Sequence, residues 1–75
     1  METRIAEFMA NLLNVGLKQE QVAERGYEYA IASQMEHRPK DSTYVSAAMM
    51  EQAARWVNAA LPVAYRIYES YHQTR

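Results

Sequence analysis

Cysteine is absent from the 75 residues, which removes disulfides, thiolate zinc sites and cysteine nucleophiles. Very short chains often lean on such devices, so packing alone must hold this one. Glycine and proline are scarce, two of each, so few positions instruct a helix to stop. No apolar run approaches the ~18 residues of a membrane span, and Met1-Glu2-Thr3-Arg4 lacks the apolar stretch of a signal peptide. A cytoplasmic location and no membrane partner are the expectations. An excess of one charge is missing too. Eight Lys and Arg oppose nine Asp and Glu for a net charge of −1, and the basic residues are scattered from Arg4 to Arg75. That spread leaves no basic footprint for nucleic acid.

What is present favours helices. Hydrophobic residues make up 49% of the chain, with five methionines, six tyrosines and an abundance of alanine. The expectation is an all-α single domain over residues 1–75, without strands. Ile5, Phe8, Met9, Leu12 and Leu13 recur at the i, i+3, i+4, i+7 spacing of one helical face, with Glu7, Asn11 and Asn14 opposite. This predicts a first helix over 3–14, ended by Gly16 in the left-handed conformation. A second helix is expected over 18–37. Its apolar face is thin, comprising Val22, Ala23, Tyr29 and Ala30 with the small Gly26 and Ser33, so Gly26 either bends the helix or admits a close neighbour. The run Arg38-Pro39-Lys40-Asp41-Ser42-Thr43 is the strongest turn signal, and Asp41, Ser42 and Thr43 are candidate N-caps for the next helix.

The C-terminal part is the most informative. At about 100° per residue its apolar positions fill an arc of roughly 200° that keeps one phase on both sides of Pro62, and Pro62 itself falls in the polar arc. One helix over 43–73, bent at Pro62 with its convex side toward water, explains the shared phase. The alternative is a break at Pro62 and a fourth helix, with the proline harmless in a first turn. Three helices are therefore expected, or four. A further variant is a helical hairpin with 3–37 as one bent arm and 43–73 as the other, two of which would make a four-helix bundle.

An apolar arc of about 100° serves one packing partner, and this helix offers about twice that. A second copy of the chain is the economical cover, because identical surfaces paired about a two-fold axis give a closed oligomer. The expected interface comprises Met49, Ala53, Trp56, Val57, Ala60, Ala64, Tyr65, Tyr68 and Tyr71, with alanines permitting close approach and aromatics acting as anchors. For the tyrosines the competing reading is partial burial within the monomer.

Candidate chemistry is sparse. Glu69-x-x-His72 has the spacing of carboxylate-bridged di-metal bundles, but Glu69 falls in the polar arc, so no metal is expected. His37 reads as an exposed residue near a helix end. Ser33, Ser42, Ser46 and Ser70 have no base at a recognisable spacing, and no glycine-rich phosphate loop occurs. No catalytic residue and no cofactor is expected. The functional expectation is a small non-enzymatic helical protein–protein interaction module (an adaptor, inhibitor or assembly factor) that self-associates through residues 43–73 as a homodimer and docks on a larger protein.

The stretch Gly16-Leu17-Lys18-Gln19-Glu20-Gln21-Val22-Ala23-Glu24-Arg25-Gly26 resembles the opening of the helix-turn-helix in Cro-like phage repressors and their bacterial relatives. That resemblance implies a turn at Gly26, a recognition helix after it and a DNA-binding transcriptional regulator using residues 17–36. In the family the alanine and the turn glycine are usually four apart, whereas Ala23 and Gly26 are three apart. The following helix carries Glu28 and Glu36 with no base before His37. This is the alternative function.

Overall fold

The computed structural model describes residues 2–36 and 44–73. They form three helices, α1 (Glu2–Val15), α2 (Gln19–Met35) and α3 (Ala47–Gln73), and no strand. The all-α expectation holds with three helices rather than four. The expected turn at 38–43, its candidate caps and His37 lie outside the described residues.

Gly16 ends α1 as its sequence position suggests, with φ +111°, a value that favours a residue without Cβ. The Gly16 and Leu17 amides both reach back to the Leu12 carbonyl at 3.2 Å, and Gly16 also to Leu13 at 3.1 Å, closing the helix with a Schellman-type turn. The chain then restarts. Gln21 Oε1 accepts the Lys18 N–H at 3.1 Å, and the Lys18 carbonyl accepts the first α2 bond from Val22 at 2.9 Å. Glu2–Val15 and Gln19–Met35 are thus two separate helices, as expected, which corrects the hairpin variant in which they form one bent arm.

α3 begins at Ala47, later than the expected 43, because Tyr44–Ser46 are not helical and Ser46 is the cap. Its hydroxyl accepts the Met49 N–H at 3.2 Å, satisfying one of the amides a helix N-terminus leaves without an internal partner. From there α3 runs for 27 residues without a break at Pro62. The shared apolar phase on either side of the proline is the signature of this single helix. Pro62 and Asn58 are both exposed, so the Asn58 carbonyl, whose amide partner the proline removes, faces water.

Contacts along the chain give the arrangement. Gln34 donates to the Met49 carbonyl at 2.9 Å, Gly26 lies beside Val57, and Tyr65 donates to Gln19 Oε1 at 3.1 Å, so α2 and α3 run antiparallel. The molecule measures 49 × 18 × 17 Å, too narrow for a 17-residue helix of about 26 Å to lie across it, so all three helices follow the long axis. Ile5, Ala6, Met9, Ala10 and Leu13 of α1, Val22, Gly26 and Ala30 of α2, and Met49, Ala53, Val57, Ala60 and Ala64 of α3 are buried between them. Six of these are alanines without any exposure, so the helices pack closely and the core has little bulk.

Gly26 marks a point of close approach. A Cβ there would stand 2.5 Å from Met9 Sδ, 3.0 Å from Met9 Cγ and 3.7 Å from Val57 Cγ2. Of the two roles open to this glycine, close approach is the one realised: α2 is helical on both sides of it.

Candidate interaction surface

The nine residues expected at an interface divide into two groups. Met49, Ala53, Val57, Ala60 and Ala64 are buried under the chain's own α1 and α2. They succeed one another at spacings of three and four and form the centre of the wide apolar arc. Trp56, Tyr65 and Tyr68 are half-buried, and Tyr71 is 49% exposed. At about 100° per residue, Trp56, Val63 and Ile67 line one edge of the buried stripe, and Met50, Leu61, Tyr65 and Tyr68 the other. The hydrogen bond from Tyr65 to Gln19 identifies the second edge as the one beside α2.

α3 also outruns its cover. Tyr65 stands level with Gln19, the first residue of α2, and α1 ends at Val15, so the last turn, carrying Tyr71, reaches past both neighbours, while Ile67 and Tyr68 still pack at the margin of the core. Tyr68 packs edge-on against His72 with ring centroids 4.5 Å apart. Glu69, three residues before His72, is exposed. Among the described residues no group of three or more His, Asp or Glu is placed to hold a metal ion. Two of the four serines have local partners: Ser46 caps α3, and Ser70 donates to the Ile67 carbonyl at 2.7 Å.

A second apolar surface escaped the sequence reading. Tyr27, Glu28, Ile31 and Ala32 of α2 and Val45 and Met50 at the start of α3 enclose an open groove of about 360 Å³. Met50 is 42% exposed at its edge. Tyr27 and Ile31 are four apart on α2, outside the thin face formed by Val22, Gly26 and Ala30, and that spacing was the signal available. On the far side of α2, Tyr29 stacks on Phe8 of α1 with centroids 4.6 Å apart.

The helix-turn-helix resemblance does not carry over to the backbone. Residues 19–35 form one helix with Gly26 buried inside it, so there is neither a turn at Gly26 nor a separate recognition helix. Among the described residues, no helix is long and apolar enough to cross a membrane. No protein-family model, curated protein sequence or solved structure matches the chain.

Proposed function

We propose that the protein is a small helical interaction module that pairs with a second copy of itself through α3. The observation that carries this reading is the mismatch between α3 and its cover. Its apolar arc is wider than α1 and α2 bury, leaving Trp56, Val63, Ile67 and Tyr68 only partly covered, and its last turn carries the exposed Tyr71 beyond both neighbours. The self-complementary surface is the edge formed by Trp56, Val63 and Ile67 together with the C-terminal turns. The five buried residues of the stripe support this surface from within and are not part of it. Aromatic side chains suit the role, offering large apolar area at small entropic cost. No cofactor or catalytic group enters the proposal.

The test is sedimentation equilibrium over a range of protein concentrations. The expected result is a species of twice the 8.7 kDa chain mass that dissociates on dilution. Tyr71→Glu, at an exposed position, should weaken the pairing by at least about tenfold while leaving the helical circular dichroism intact. A wild-type chain that stays at 8.7 kDa at the highest concentration overturns the reading.

A further inference from the structure

The groove between α2 and α3 has a charge character of its own. Its lining is apolar except for Glu28, and Glu20, Glu24 and Glu28 stand exposed at four-residue intervals, a row alongside Tyr27 and Ile31. None of the three takes part in a described ion pair; Arg55 is matched to Glu51 at 3.8 Å on α3 itself. Arg25, three residues before Glu28 and about 60° from it around α2, borders the row on the side away from Tyr27. Lys18, just before α2, lies beside Glu20 and is ten residues or about 15 Å from Glu28 along the helix. Arg66 falls on the outward arc of α3, and Arg4 is on α1. Among the described residues, then, this groove has an apolar floor and an acidic rim on its α2 side.

We propose that the groove is a docking site for a basic amphipathic helix of another protein. Two antiparallel helices with a shallow apolar trough between them offer the seat for one more helix, completing a four-helix arrangement. An incoming helix would place aliphatic side chains at i and i+4 against Tyr27, Ile31 and Met50. Lysines or arginines flanking that stripe would meet Glu24 and Glu28. The rim charges set the choice of partner: an acidic helix with the same apolar stripe would meet like charge along α2. A second copy of this chain is the poorer fit, because its own exposed α2 row is acidic. This site lies at the start of α3, apart from the Trp56, Val63 and Ile67 edge and the C-terminal turns proposed for pairing, and does not depend on them.

Two fluorescein-labelled helical peptides of identical leucine stripe, one flanked by lysines and one by glutamates, test the proposal by anisotropy against the full chain. The expected result is binding of the lysine peptide that weakens by about tenfold or more in the Glu24→Lys/Glu28→Lys variant and on raising salt. Ile31→Asp, which spoils the apolar floor, should abolish it. Glu7→Lys, the same substitution made once on the exposed face of α1, should leave it within about twofold. Equal binding of the two peptides, or equal loss in the Glu7 variant, overturns the proposal. So does absence of binding, whether the groove is then empty, taken by a second copy or filled by residues 37–43. Because the mass of the wild-type chain is read separately, failure here leaves the pairing result standing.

Discussion

Gly26 concentrates the packing problem of this protein in one missing methyl group. In an isolated helix, alanine in its place would gain about 1 kcal/mol. In the folded chain the added Cβ meets Met9, whose side chain is fully buried and cannot swing into solvent. Overpacking a filled core costs on the order of 1–3 kcal/mol, so the steric term outweighs the propensity. Gly26→Ala should therefore lower stability by about 1 kcal/mol, measured by chemical denaturation. The decisive comparison is with Met9→Ala. That change alone opens a cavity and costs about 2–5 kcal/mol, and in its background Gly26→Ala should become stabilising because the new methyl partly fills the space. If the two substitutions are additive, Met9 yields easily and the contact does not set the helix spacing. Sequence reading left Gly26 with two roles because a glycine records only the absence of a side chain; the identity of the neighbour, Met9 some seventeen positions earlier, is written in tertiary packing.

Among the elements, α3 was the most legible and Pro62 the reason. A proline usually marks a boundary, yet the apolar phase passed through it unchanged, and a continuous helix is what the structure has. The start of α3 was less legible. Several hydroxyl and carboxylate residues before it could cap, and only the geometry of Ser46 with Met49 distinguishes one. The lateral surfaces of α3 were least legible of all. Periodicity reports the width of an apolar arc, but not which part α1 and α2 will cover, so Met49 and Ala53 could not be told apart from Trp56 or Tyr71. Pro62 also invites a test at this scale. A helix-interior proline costs about 3 kcal/mol relative to alanine, part of which returns because it restricts the unfolded chain by about 0.5–1 kcal/mol. Since Asn58 and Pro62 both face water, nothing in the packing compensates the lost hydrogen bond. Pro62→Ala should stabilise the protein by about 2–2.5 kcal/mol by chemical denaturation, with helicity rising slightly. A clear loss of stability would mean that a bend imposed by the proline is needed for α1 or α2 to fit.

The whole molecule is a narrow rod with a small-residue core, and that combination bears on how its stability should behave. Apart from Ile5, Met9, Leu13, Val22, Met49 and Val57, the buried hydrophobic positions are alanines, each adding little apolar area, while larger side chains such as Trp56, Leu61 and Tyr65 are only half-covered. A chain of this size sits near the lower limit at which a single core suffices, so burying the α3 edge against another copy would be a large fraction of its total stability. Association that favours the folded state raises the unfolding midpoint with concentration by mass action. For a dimer, each tenfold increase in protein adds about 1.4 kcal/mol per pair, or about 0.7 per chain, and domains this small shift by about 4–8 °C per kcal/mol. The thermal midpoint of the wild-type chain should thus climb by about 3–5 °C per tenfold rise in concentration. Tyr71→Glu should flatten that dependence and bring the midpoint down toward the value of the dilute wild type. The groove variants Glu24→Lys and Glu28→Lys, on the exposed face of α2, should keep the wild-type slope. A midpoint independent of concentration in the wild type would show that the alanine-rich bundle is sufficient by itself, and that the exposed edge of α3 adds nothing to holding the fold.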